Sequence, residues 1–503
     1  MEVQFSNESL ANVQADTLLV GLLEGGTLPN ELQERLGEAA SDLLSDFEGK
    51  SGEEVAVFYP RGAVAARRLL LVGLGKEEEL TLEALRRAAA KGVVKAKSFG
   101  GTVATTLAHQ TGQGFDTAEA TRAVVEAAEL GLYDYSLKQK KGEDGPEKTV
   151  EILILLAADE AAQRAAALGQ AVASGVTQAR DLVNAPPNIA DAPYLAEVAR
   201  DIAGSSPYIN AKILSLEETR AMGMGAFNGV AQGSATPPQF IVLEYRVDEL
   251  PDQRPVGLAG KGLIFDTGGI SIKPSTNLWK MKTDMAGGAA VLGLFRALAN
   301  LPEPLDLPIV GVVPATDNAI GQGSFTPADV LTSLKGKTIE VQNTDAEGRL
   351  ILADALTYID RYNPRAVVDL ATLTGAIVVA LGNNMSGLFS NDEDLVEHLQ
   401  LASHRSGEEL WRMPLYDDYD KLLESDIADV KNVGGRAGSS ITAALFLRNF
   451  IGDYEWAHLD IASTAWHDER KPKLPYAPKG ASGVGVRLLM ELLRGYEAKD
   501  RGN

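Results

Sequence analysis

The side chains best placed to do chemistry are carboxylates with neither histidine nor thiol beside them. Asp345 and Glu347 stand two apart in NTDAEGRL, residues 343–350. In an extended chain alternate side chains share a face, so these two acids would project to one side. Carboxylates aimed at one point repel each other and lose solvation, and a cation between them removes both penalties. A second stretch, KGLIFDTGGISIKPSTNLWKMKTDMAGG at 261–288, puts Asp266 where an apolar run meets Gly268–Gly269. Lys261, Lys273 and Asp284 lie on the same loop-rich path. Paired glycines at a strand tip suit close approach of backbone to a ligand. The flanking residues are apolar or small, unlike a solvated run of charges. Asp266, Asp284, Asp345 and Glu347 together offer hard oxygen donors that suit Mg²⁺ or Mn²⁺ and can hold Zn²⁺. Their charge exceeds the need of one divalent ion. Two ions about 3–4 Å apart would balance it and clamp an attacking water. Lys273 and Arg349 would then steady negative charge growing on a carbonyl oxygen. A local alternative stands beside this two-metal hydrolase: Asp345 and Glu347 as caps of a following helix, where acids are favoured. Residue chemistry alone leaves both open.

Composition narrows the choice. With no cysteine in the chain, disulfides, cysteine zinc sites, iron–sulfur clusters and thiol nucleophiles are excluded. The histidines are His109, His398, His404, His458 and His467, and no two have metal-site spacing such as HxxxH. A metal site must therefore lean on carboxylates. His458 and Asp460 form an HxD on a strand candidate, read as a buried pair in preference to a third metal site. Lys and Arg total 47 against 69 Asp and Glu, a net charge of −22. Such a surface repels phosphate backbones and anionic lipid, so nucleic acid is not an expected partner. The opening MEVQFSNESLANVQAD lacks the basic and apolar regions of a secretion signal. No apolar run reaches the ~18 residues a membrane span needs. The expectation is a cytoplasmic protein without a membrane partner.

These residues need a scaffold. Strand candidates at 15–24, 54–59, 67–73 and 150–157, with a helical pattern at 80–98, predict an N-terminal α/β layer structure over residues 1–157. The polar stretch 137–148 reads as an exposed loop. Residues 158–184 form one Ala-rich helical pattern, stopped by Pro186–Pro187, and are read as a connecting helix. Residues 185–503 alternate again, with strand candidates at 241–246, 254–266, 308–315, 337–344 and 365–373. Helix candidates there are 285–301, 349–363 and 441–451. The expected fold is α/β: a smaller N-terminal α/β domain and a larger catalytic α/β domain whose mixed central sheet is flanked by helices. Asp345 and Glu347 would sit at a strand-to-helix switch, where open parallel sheets collect ligands.

At these residues the sequence resembles the leucyl aminopeptidase family, dinuclear-metal exopeptidases. The family signature NTDAEGRL stands unaltered at 343–350. The pattern GKG-x-x-FD-[ST]-GG-x-x-x-K with a later K-x-DM-x-G stands at 260–287, followed by LATLTGA at 370–376, WRMPL at 411–415, ADVKNVGG at 428–435, AHLDIA at 457–462 and KGASGVGVR at 479–487. The resemblance implies two divalent ions per subunit, Mn²⁺ or Zn²⁺, with Mg²⁺ or Co²⁺ as substitutes. It gives Lys261, Asp266, Asp284 and Glu347 to the more exchangeable ion. Asp266, Asp345 and Glu347 go to the tighter one, with the Asp345 carbonyl assisting. Lys273 matches the lysine that polarises the scissile carbonyl, and Arg349 the arginine that holds a bicarbonate acting as general base. Met281, Thr372 and Gly375 match an apolar pocket for the first side chain, which implies a preference for leucine. The resemblance also implies peptide substrates and a homohexamer. The sequence departs from the common pattern at Asp317–Asn318–Ala319, Thr326–Pro327–Ala328–Asp329 and Ser463, none of which the resemblance makes a ligand. Two rival functions remain to be weighed. A two-metal phosphoesterase would need more cationic side chains than Lys261, Lys273 and Arg349 offer. A non-catalytic nucleic-acid binder is opposed by the −22 charge.

Overall fold

A computed structural model describes residues 1–53, 55–112, 114–138, 148–156, 159–468 and 474–500. The expected loop at 137–148 lies largely outside the described residues, as does the first residue of the expected connecting helix. The chain divides into two compact units, Met1–Ala173 with Glu469–Lys479, and Ser174–Asp468 with Gly480–Asn503. The division falls within one continuous helix, Glu160–Asn184.

The first unit is built on a six-stranded sheet in the order Glu2–Phe5, Val150–Leu155, Gly101–Thr105, Thr17–Leu23, Arg68–Gly75, Ala56–Phe58. All neighbours are parallel except the last pair. Helices Leu82–Lys97 and Thr117–Gly131 pack on each other. Leu18, Leu19 and Val20 are all buried, because a parallel sheet covered on both faces hides both sides of each strand. The apolar run therefore has no alternation. Strands Glu2–Phe5 and Gly101–Thr105 and helices Asn30–Leu36, Glu38–Asp46 and Thr117–Gly131 escaped sequence reading.

The second unit is organised by a nine-stranded mixed sheet. Its order is Leu410–Arg412, Ser386–Ser390, Glu455–Asp460, Ala366–Ala371, Val256–Gly260, Ile309–Asn318, Gln239–Tyr245, Ile209–Leu214. Gly262–Asp266 pairs beside Ile309–Asn318. The four strands from Glu455–Asp460 through Ile309–Asn318 are mutually parallel, and Gly262–Asp266 runs parallel with them. Five carboxyl-terminal tips thus collect at one edge, the place where parallel sheets bind ligands.

Several local expectations change. The candidate strand 254–266 is two strands interrupted at Lys261. The candidate 337–344 is a strand only over Thr338–Glu340, and it belongs to a separate sheet with Val330–Thr332 and Val430–Lys431. NTDAEGRL is therefore not the switch of the main sheet. Its residues turn at 344–345 and enter the helix Gly348–Ile359.

The break at Lys261 is fixed by close backbone approach. Lys261 donates its N–H to Leu370 O at 3.0 Å and accepts from Gly288 N–H at 2.8 Å. A Cβ on Gly287 would fall 2.0 Å from Leu370 O. Only glycine lets the helix Ala286–Ala299 start against the strand tips. The core below holds Trp456, Phe389, Phe446, Phe450 and the apolar face of Gly348–Ile359 in one cluster. It presses these tips into a fixed arrangement.

Candidate metal centre

Asp266 ends its strand and is 3 % exposed. The chain then turns back on itself through Gly268 and Gly269, both at positive φ (86° and 64°). Lys273 N–H reaches Thr267 O at 2.9 Å, and Gly268 N–H reaches Asp266 Oδ1 at 2.9 Å. The turn is latched to the NTDAEGRL segment, since Ser271 N–H donates to Thr344 Oγ1 at 2.8 Å and Thr344 Oγ1 donates to Gly268 O at 2.6 Å. Asp345 is oriented by its own N–H on Asn343 Oδ1, 2.9 Å. Asp345 and Glu347 meet through this turn and not through strand alternation. Glu347 has a helical backbone, φ −76° and ψ −33°, one residue before the helix, and its side chain makes no cap hydrogen bond. The capping explanation therefore fails for Glu347.

Asp266, Asp284 and Glu347 each present an oxygen within 4.8 Å of the others, and all are buried. Lys261 Nζ sits 2.7 Å from Asp284 Oδ2, 3.1 Å from Glu347 Oε1 and 3.0 Å from Thr372 O. Lys273 Nζ sits 2.7 Å from Asp266 Oδ2 and 2.5 Å from Asp345 Oδ1. The fold thus gathers all five acidic and lysine residues matched to ligands, and Lys273 with them. Arg349, on the first turn of its helix, donates to Asn432 O at 2.7 Å while its buried Nε has no partner. Thr372 Oγ1 donates to Asp284 Oδ1 at 2.7 Å. Met281 is half-buried one turn before Asp284. Gly375 is exposed, with open space where a side chain would begin.

The electrostatics are those of a cation site. Burial and then the Asp266 charge push Glu347 up to about 7 and Asp345 up to about 6. Burial also raises Asp284, although the Lys261 charge works the other way. For both lysines burial disfavours the ammonium, but the surrounding carboxylates outweigh it and hold their pKa values well above the ordinary range. Burial lowers Arg349 to about 10. Four carboxyl groups face two lysine ammonium groups, so acids outnumber the lysine cations among them. Asp284 Oδ2 and Asp345 Oδ1 are buried, and the partners they have are the ammonium groups of Lys261 and Lys273. Buried carboxylate oxygens met only by cations, in an all-oxygen donor set, fit divalent ions. Lys261 can join them only by giving up its proton, which an adjacent dication makes favourable.

His458 is buried, but not with Asp460. Its Nδ1 meets Asp369 Oδ1 at 2.6 Å, and Asp369 also accepts from Trp456 Nε1 at 2.8 Å. Asp460 instead accepts from Leu373 N–H, Thr374 N–H, Thr374 Oγ1 and Ala462 N–H. It thereby holds the loop that carries Thr372. Sequence reading also gave no role to Asn432, which binds Gln342 N–H and Asn343 O, or to Asn318. Asn432 lies in the quoted ADVKNVGG run, but nothing in its type or spacing marked it.

Residues 177–490 match the model of the cytosol aminopeptidase family, catalytic domain, and residues 19–141 match that family's N-terminal domain. A probable cytosol aminopeptidase of Geobacter sp. (strain M21) is 43% identical over 501 residues, covering 98% of this chain and 100% of the relative. Another, from Roseiflexus castenholzii (strain DSM 13941 / HLO8), is 45% identical over 488 residues, covering 95% and 96%. Among solved structures, the bottromycin maturation enzyme BotP in complex with Mn is similar at TM-score 0.83 and 35% identity, covering 96% of this chain and 100% of that one. A tomato leucine aminopeptidase mutant gives TM-score 0.84 and 33% identity, covering 98% and 96%. With both family regions matched, near-complete alignment to these relatives and a buried carboxylate cluster suited to divalent ions, the chain belongs to the cytosol aminopeptidase family and is a metal-dependent hydrolase that removes amino acids from the amino ends of peptides.

Proposed function

We propose that the enzyme releases N-terminal leucine in preference to other residues, accepts other apolar side chains, and uses two divalent ions per subunit. The observation that carries this reading is the convergence of Asp266, Asp284 and Glu347 within 4.8 Å, flanked by Lys261 and Lys273. Lys261, Asp266, Asp284, Asp345 and Glu347 would hold the ions, Asp266 and Glu347 contributing to both. Mn²⁺ or Zn²⁺ is the native metal, and Mg²⁺ or Co²⁺ can replace it. Bound there, the ions supply Lewis acidity, lowering the pKa of water and polarising a carbonyl. Lys273 donates its N–H to the scissile carbonyl oxygen and stabilises the tetrahedral oxyanion. Arg349 would hold a bicarbonate, which would supply a general base beside the ions, a role supported by the partnerless buried Nε of Arg349. Met281, Thr372 and Gly375 line the pocket for the first side chain, and the open space at Gly375 supports room for leucine.

Residues 1–157 form a domain without catalytic side chains, 158–184 connect it, and 185–503 carry the reaction. The protein works in the cytoplasm as a homohexamer. No helix among the described residues is long and apolar enough to cross a membrane, and the net charge of −22 disfavours nucleic acid.

The test is chelation followed by metal add-back, with Leu-p-nitroanilide and p-nitrophenyl phosphate compared side by side. Restored peptidase activity without phosphatase activity is expected. Failure of Mn²⁺, Zn²⁺, Co²⁺ and Mg²⁺ alike to restore it would sink the metal assignment. A panel of aminoacyl p-nitroanilides checks the leucine preference, and sedimentation checks the hexamer.

A further inference from the structure

We infer that Asn318 is a positioning residue that sets the separation and orientation of the two carboxylates, Asp266 and Glu347, between which the ions are shared; this rests on the two-ion reading above. Register puts it there: Asn318 ends its strand directly opposite Asp266 on the neighbouring parallel strand. It is fully buried. Its Nδ2 lies 2.8 Å from Asp266 Oδ1, 3.2 Å from Glu347 Oε2 and 3.0 Å from Thr344 O. One amide group therefore faces three acceptors supplied by two separate segments, the strand tip at Asp266 and the turn that carries Thr344 and Glu347.

The orientation of the amide is determined. All three neighbours of Nδ2 only accept, so a flipped side chain would set oxygen against oxygen three times over. On the far side Oδ1 has no hydrogen-bond partner. A buried acceptor left unpaired is unfavourable, and this orientation accepts that single loss to keep the donors on the carboxylates. The backbone is pinned as well, because Asn318 O accepts from Thr267 N–H at 3.2 Å and Thr267 Oγ1 at 2.7 Å.

The division of oxygens follows from the same geometry. Asn318 occupies Asp266 Oδ1 and Glu347 Oε2, while Asp266 Oδ2 and Glu347 Oε1 face Lys273 and Lys261. Each acid thus has one oxygen tied and the other turned toward the cation positions. A neutral donor suits this place better than a third cation would. It offsets the repulsion between two buried carboxylates without subtracting from the negative charge that attracts dications.

The experiment titrates metal-free wild type, Asn318→Ala and Asn318→Leu with Mn²⁺ by calorimetry, and records electron paramagnetic resonance at two equivalents. Loss of the donor should weaken Mn²⁺ binding by about 10–100-fold and change or abolish the spin-coupled signal of a closely spaced pair. A residue that merely packs would leave that signal alone. Asn318→Leu keeps the volume, and if both variants fail to fold, the isosteric Asn318→Asp is read the same way, since it exchanges the donor for an acceptor. Wild-type affinity together with a wild-type coupled signal in a folded variant overturns the inference. A wild-type protein that never binds a coupled pair instead refutes the two-ion reading on which it rests.

Discussion

Replacing Lys273 with alanine separates two roles that its position permits. Its Nζ lies 2.7 Å from Asp266 Oδ2 and 2.5 Å from Asp345 Oδ1, and its side chain is 22% exposed. As a hydrogen-bond donor to a developing oxyanion, its loss should cost about 10²–10³ in kcat, equivalent to about 2.7–4 kcal/mol. As a counter-charge, its loss should help the ions bind. A unit charge pair about 4 Å apart at an effective dielectric near 20 is worth about 4 kcal/mol. Solvent at this partly open side chain reduces that figure, so affinity should hold or improve by about tenfold at most. Lys273→Ala is thus expected to carry a full complement of metal and to turn over slowly. Leu-p-nitroanilide kinetics at saturating Mn²⁺, with metal content measured on the same sample, provide the assay. Turnover within about threefold of wild type at full occupancy would show that the ammonium is only a counter-ion. Loss of metal from the variant would show that it helps to organise the site, and the catalytic assignment would then be wrong in a different way.

Gly348→Ala places a methyl 2.5 Å from Lys261 Nζ and Cε. The amine end can move without disturbing the backbone, so the fold should survive while one ion per subunit is lost; two ions by elemental analysis would contradict this placement of Lys261. Arg349→Met removes the only guanidinium matched to the bicarbonate role and should lower the rate by about 10²–10⁴-fold while abolishing any response to added bicarbonate. A bicarbonate effect that persists in the variant would refute the role. The pH dependence of the metal-free protein follows from its buried acids. Asp354 is pushed up to about 7 by burial, even though it accepts from Phe227 N–H and Leu334 N–H, and Glu347 and Asp345 stand near 7 and 6. A raised acid binds its proton in the fold where the unfolded chain has already released it, so stability falls as pH rises from the unfolded values, near 4, through 7. His458, raised overall by Asp369 against the opposing effect of burial, contributes in the same direction. The melting temperature of chelated protein should therefore fall between pH 5 and 8, whereas the gain on adding Mn²⁺ should grow over that range, because the ions need deprotonated ligands. A chelated protein that becomes more stable toward pH 8 would reverse the argument.

The types and short spacings of the acids were legible from the chain alone, and so was the α/β alternation that carries them. These are local properties: a strand tip followed by Gly268–Gly269, an Ala-rich helix, and an unbroken eight-residue signature. What the chain could not disclose is which tips lie side by side. Asp266 faces Asn318 because two parallel strands adopt one register, and Lys261 reaches Thr372 across 111 positions. Local expectation even misread the means of convergence. Asp345 and Glu347 come together through a turn and a helix start, not an extended strand, and His458 takes Asp369 as its partner in place of the neighbouring Asp460. Hydrogen-bonding side chains such as Asn318 and Asn432 have no pattern of their own in a sequence. Their role exists only once distant backbone segments are packed close enough to share one amide, and that closeness is a product of strand register and core packing.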